Sequence, residues 1–152
     1  VAGLTFRGII APINSATNRT ARFGFLDTLN SNQPVDGAYF EMSNLTVSAV
    51  TASNSTRTFS ASTYTLSAST FYIFDVEYLS TSEVEYTIYN LATGNEVFTT
   101  TITTNIPTGS SRTFYSGAIA TNNNSSATSL IEIDYMGFGP VRPPFMRNPF
   151  PV

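Results

Sequence analysis

The sequence predicts an all-β domain, a two-sheet antiparallel sandwich, and three observations predict it. Apolar residues recur with a period of two in segment after segment, the alternation of a half-buried strand. Turn-forming residues interrupt these segments roughly every ten residues. No window carries apolar residues at helical spacing.

The strands follow in order. Leu4 to Ile10 is rich in β-formers and stops at Pro12. Arg22 to Leu26 alternates, with Phe23 and Phe25 on one face. Residues 27–37 form a polar loop with Pro34 and an Asp36-Gly37 turn. Ala38 to Met42 and Leu45 to Val50 are the next strands, and Thr56 to Thr65 is a weaker one carried by Phe59. A short helix is the competing reading of Ala61 to Ser69, against the preference of Ser and Thr for turns and strands.

Phe71 to Tyr78 is the clearest element. Tyr72, Phe74, Val76 and Tyr78 share one face, and Phe71, Ile73, Asp75 and Glu77 share the other. Glu83 to Tyr89 places Val84, Tyr86 and Ile88 inward and its glutamates outward. Thr93-Gly94 turns the chain into a hairpin partner, Glu96 to Thr103. After a break at Pro107 come Thr113 to Ala120, an Asn-rich loop, and a closing strand, Leu130 to Met136, with Ile131, Ile133 and Tyr135 on one face. The domain is expected over residues 1–138. Residues 139–152, with five prolines among Phe145 and Phe150, read as an extended arm or linker.

Composition narrows the function. The chain of 152 residues has room for one domain with a core. Charged residues make up 11%, against about a quarter in an average soluble domain. Ser, Thr and Asn supply the remaining polarity. The net charge is −3 and no basic stripe exists, which argues against nucleic acid as a partner. All seven cationic side chains are arginine, so lysine Schiff-base chemistry is excluded. The absence of Cys and His excludes disulfides and imidazole or thiolate metal sites. It also removes the usual acyl-transfer base. No segment is apolar enough to insert in a membrane. The chain does not open on Met, the mark of a processed or excerpted piece, so the absence of a leader carries no weight.

Several residue sets are candidates for chemistry. Glu132 and Asp134 share a strand face by alternation, and Asp75, Glu77, Glu83 and Glu85 stand on neighbouring strands. Like charges facing one another repel, so a cation or an arginine partner is expected beside them, unless they form a solvated outer face. Asp27 and Asp36 flank an Asn-rich loop and are the candidates for calcium, the one cofactor to be considered. Among the tyrosines, Tyr72, Tyr86, Tyr89 and Tyr135 are candidates for stacking a sugar ring, against the reading that they pack in the core. Phe138, Arg142, Phe145, Arg147 and Phe150 are candidate assembly contacts. Asn18, Asn44, Asn54, Asn123 and Asn124 match the N-glycan acceptor pattern, which matters only in a glycosylating source.

Arg22-x-Gly24-Phe25, then Pro34-x-Asp36-Gly37-x-Tyr39-Phe40-Glu41, then Tyr72-x-Phe74-x-Val76, Val84-x-Tyr86-x-Ile88, Asn105-Ile106-Pro107 and Ile133-Asp134-Tyr135 form a series. In this order of strands and turns the chain resembles the concanavalin A-like, laminin-G-like jelly rolls of bacteriophage virion and secreted bacterial surface proteins. The resemblance covers roughly residues 4 to 138, and a first strand is missing or supplied by a neighbour. It implies two antiparallel sheets, one concave, and use either as a virion decoration or tail appendage or as a sugar binder. Glycoside hydrolases of this class carry Glu-x-Asp-x-Glu on such a strand. Here Met136 stands in the third position, so the proton donor is missing. The expectation is therefore a non-catalytic, homo-oligomeric structural protein of a virion or extracellular surface. The alternative is a module recognising a surface glycan.

Overall fold

The computed structural model describes residues 3–14, 18–108, 113–122 and 131–140. Eleven strands form among them, and no helix. They are β1 (Leu4–Pro12), β2 (Arg19–Leu26), β3 (Gly37–Ser43), β4 (Thr46–Ser53), β5 (Thr56–Phe59), β6 (Tyr64–Thr65), β7 (Tyr72–Ser80), β8 (Glu83–Asn90), β9 (Glu96–Ile102), β10 (Tyr115–Asn122) and β11 (Ile131–Pro140). A five-stranded sheet runs β11-β1-β7-β8-β9, and a six-stranded sheet runs β10-β2-β3-β4-β5 with β6 paired to β4. Every strand pairing is antiparallel. The chain changes sheets after β1, β6, β9 and β10, which makes the two sheets a sandwich rather than two hairpin stacks.

The inner faces follow from alternation. Phe6 and Ile10 of β1, Tyr72, Phe74, Val76 and Tyr78 of β7, and Val84, Tyr86 and Ile88 of β8 are buried in one core cluster. They meet Ala21, Phe23 and Phe25 of β2, Phe40 and Met42 of β3, and Val47 and Ala49 of β4 from the opposite sheet. At the centre, Phe74 meets Phe23 and Phe40 edge-on, with ring centroids 4.6 and 5.2 Å apart. Tyr86 crosses the core to donate its hydroxyl to the Val50 carbonyl at 2.7 Å. That bond satisfies the one polar atom of a ring that is otherwise an apolar filler.

The turns carry the residues such turns need. Asn44 holds φ 56°, and Asn54 and Ser55 hold 50° and 67°, the left-handed backbone of tight hairpins. Gly94 has φ 72° and donates to the Asn90 carbonyl at 2.8 Å, closing the β8–β9 hairpin at the expected Thr93-Gly94 turn. The segment Ala61 to Ser69 is not helical: it holds β6 and turns. Leu66 fixes it by burying its side chain in the core and donating its amide to Leu45.

Several strand ends differ from those the sequence predicts. β1 runs through Pro12. β11 continues through Gly139 to Pro140, which stands opposite Leu4 on an edge strand, where proline is tolerated. Residues 141–152, with Arg142, Phe145, Arg147 and Phe150, lie outside the described residues, as do Asn123 and Asn124. Among the described residues no helix is long and apolar enough to cross a membrane.

Candidate functional site

The outward face of the five-stranded sheet is a grid fixed by strand register, because residues directly opposite one another project from the same face. One row runs Gly139, Thr5, Glu77, Glu85 across β11, β1, β7 and β8. The next runs Gly137, Arg7, Asp75, Thr87. A third runs Tyr135, Ile9, Ile73, Tyr89. Over this grid lies a cavity of about 370 Å³, lined by the first two rows, by Tyr89 and Tyr135, and by Phe138 and Pro140.

The glycines make the hollow. An added Cβ at Gly139 would meet nothing within 4 Å. At Gly137 it would collide with the Tyr135 hydroxyl and lie 2.8 Å from the ring carbon that bears it. Tyr135 therefore leans along β11 across Gly137, toward the cavity. A bulge places it there. The β1–β11 register slips between Ile9 and Ile10, so Ile10 faces Ile133, Ile9 faces Tyr135, and Asp134 is the extra residue. The slip reverses the alternation. Tyr135 joins Arg7 and Ile9 on the outward face and does not share the face of Ile131 and Ile133, as uninterrupted alternation requires.

Arg7 organises the polar floor. Its Nε and Nη2 donate to the two carboxylate oxygens of Asp75 at 2.7 and 2.5 Å, a fork of two parallel bonds. Side-chain exposures of 26% and 13% leave the pair reachable from the cavity but shielded enough to stay fixed. Hydrogen bonding to Asp75 raises the guanidinium pKa further, against the lowering effect of burial. Arg7 is thus the arginine partner expected beside the carboxylates. Glu77 sits opposite Glu85 and is only 8% exposed. Thr5 Oγ1, on the same row, is buried without a hydrogen-bond partner.

The sequence-selected residues divide clearly. Tyr89 and Tyr135 line the cavity. Tyr72 and Tyr86 do not: at 2% and 0% exposed they are core residues on the inward face, so they cannot stack on a ligand. Alternation groups Tyr72 with Phe74 and Tyr86 with Ile88, and that grouping is what carries them inside. Phe138 is 71% exposed at the cavity rim. Asp27 and Asp36 join the ends of their loop through a backbone bond of 3.2 Å, and the Asp36 carboxylate accepts the Asn54 amide at 2.8 Å. Among the described residues no three Asp or Glu side chains gather as a metal site. Glu132 and Asp134 are exposed on β11 and do not line the cavity. Arg7, Thr5, Thr87, Gly137 and Gly139 were not selected from sequence. The alternation of β1, with Phe6 and Ile10 inward, carries the signal for Arg7 and Thr5; the glycines carry none.

The sandwich has solved counterparts. A protein of unknown function, SO2946 from Shewanella oneidensis MR-1, superposes with a TM-score of 0.72 at 22% identity over 90% of this chain. The match spans 57% of that structure's length. An ancestral congerin, Con-anc, aligns over 89% of this chain and 90% of its own at 12% identity and a TM-score of 0.45. Scytalido-glutamic peptidase aligns over 91% of this chain and 70% of its own at 16% identity and 0.41. No curated protein matches the sequence. The sequence profile of one family, described as SO2946-like, C-terminal domain, matches residues 2–134. A match over that much of the chain, with the sandwich shared by SO2946 itself, makes this protein a member of the SO2946-like C-terminal domain family.

Proposed function

We propose that the chain is a non-catalytic saccharide-binding module and that the cavity on the five-stranded sheet is its binding site. The observation that carries this reading is the lining. Fixed hydrogen-bonding groups of both polarities (the Arg7–Asp75 fork, Thr5, Thr87 and the Tyr89 hydroxyl) lie beside aromatic surface from Tyr135 and Phe138. A sugar ring presents hydroxyls around its edge and apolar C–H groups on its faces, so it takes both at once. The Arg7–Asp75 fork is already formed, so little ordering cost remains to be met on binding. The two-sheet order with its crossings supports a jelly roll of the concanavalin A-like type.

The test is a saccharide panel titrated by calorimetry against wild type and Gly139→Leu. The added side chain enters open space at the cavity, so the variant keeps its fold. The reading expects affinity to fall at least about tenfold with the thermal midpoint almost unchanged. Saccharide binding unaltered by Gly139→Leu would place the site elsewhere.

A second reading, assembly on a virion or extracellular surface, is favoured by a different observation. Ile133, Met136 and Phe138 on edge strand β11 are exposed at 41%, 38% and 71%. Clustered exposed apolar residues on an edge mark an interaction surface. Its test is mass in solution for wild type, Phe138→Ser and a chain ending at Pro140. An oligomer that becomes a monomer supports assembly, and an unaltered monomer removes it.

A further inference from the structure

We infer that the site takes a linear oligosaccharide laid across the strands and running past the cavity onto β9, rather than a lone sugar; this rests on the saccharide reading above. The described residues that line the cavity belong to β11, β1, β7 and β8. Its volume, about 370 Å³, lies at the small end for a ligand pocket. The floor does not stop at β8. The β8–β9 register sets Thr101 opposite Glu85 and Thr99 opposite Thr87, so both rows under the cavity continue onto the next strand. Thr99 and Thr101 are exposed there, while Phe98 and Ile102 carry the inward face of β9 into the core.

The two ends of this track differ. Over β11, Tyr135 leans across Gly137, and Phe138 and Pro140 stand at the rim. Over β9 the threonine side chains are short and make a floor without a wall. Along one side runs the row Tyr135, Ile9, Ile73, Tyr89. Along the other, Leu79, the next outward position of β7 after Glu77, is 40% exposed. From β11 to β9 the track crosses four inter-strand steps of about 4.8 Å, roughly 19 Å in all, a length that about two sugar rings leave partly empty. A threonine hydroxyl both donates and accepts, as a sugar hydroxyl does, so it can bond a ring lying over β9 without stripping water from a charge. The freedom lost on binding is met once for the whole ligand, so rings added over β9 contribute to affinity until the track is filled.

The experiment titrates the intact protein by calorimetry with cello-, laminari- and N-acetylchito-oligosaccharides, each from the monosaccharide to the hexasaccharide. In the ladder that binds, the tetrasaccharide should bind at least about tenfold more tightly than the disaccharide, and the hexasaccharide no more tightly than the pentasaccharide. Thr101→Lys sets a long side chain in the track, on an edge strand where a charge is tolerated. It should cut tetrasaccharide affinity about tenfold with the thermal midpoint almost unchanged. Equal binding of disaccharide and tetrasaccharide by wild type, or a tetrasaccharide affinity untouched by Thr101→Lys, overturns the path over β9 and leaves the saccharide reading standing. No binding in any of the ladders overturns both.

Discussion

At the scale of single residues, two positions carry more than their size suggests. Gly24 lies in mid-strand with φ 143°. A Cβ there would come within 2.7 Å of the Ala38 carbonyl oxygen and the Tyr39 Cα, both backbone atoms that cannot move aside. Gly24→Ala should therefore lower stability by about 1–3 kcal/mol or more, read as a fall in the urea midpoint. Glu41 is the second. One of its oxygens accepts both Arg22 Nε at 2.7 Å and Arg57 Nη2 at 2.6 Å, and the Arg57 guanidinium also lies 4.5 Å over the Phe59 ring. All three charged side chains are at most 16% exposed. Glu41→Gln leaves two covered cations without their anion and should cost about 3 kcal/mol. Only a small part of that cost should vary with salt, since the pair is shielded. A loss that disappears at high salt would mean an ordinary surface pair.

At the scale of elements, alternation explains most of what the sequence made legible. Phe71 to Tyr78 and Glu83 to Tyr89 have uninterrupted period-two patterns, and their inward residues are those in the core. What alternation could not show is where a strand slips. The bulge at Asp134 changes the face of Tyr135, and no residue type announces it, since Asp134 is an ordinary exposed strand residue. The same limit hid the site. Arg7 and Asp75 lie 68 residues apart, and only the β1–β7 register brings them into contact. Ring chemistry alone marks Tyr72 and Tyr86 as stacking candidates, but the side of the sheet decides whether a ring is available. Deleting Asp134 removes the slip and leaves Tyr135 directly after Ile133, so plain alternation should keep Tyr135 outward, opposite Ile9. Saccharide affinity should then stay within about twofold of wild type, whereas Tyr135→Ala, which removes the ring, should lower it about tenfold; a comparable loss on deleting Asp134 would mean that the extra residue itself positions the ring.

At the scale of the whole molecule, the core is aromatic, and its phenols tie folding to alkaline pH. Burial pushes the pKa values of Tyr39, Tyr78 and Tyr86 above the ordinary value of 10. A raised folded pKa means that the unfolded chain loses its proton first. The stability these groups contribute is fully present below about pH 10 and is lost as pH rises through the folded values. Phenolate absorbance from Tyr39, Tyr78 and Tyr86 should therefore appear only as the circular dichroism of the sheets disappears. Reversible ionisation of all eight tyrosines with the sheets intact would contradict the packing described.

The proposed saccharide site is the outward face of the five-stranded sheet. An amide chemical-shift map, recorded while titrating the tightest-binding member of the saccharide panel, tests it most directly. Shifts should gather on Thr5, Arg7, Asp75, Glu77, Glu85, Thr87 and Gly139, and should be lost in Gly139→Leu. Shifts gathered instead around Glu41 and Arg57 on the six-stranded sheet, or a map untouched by Gly139→Leu, would contradict it.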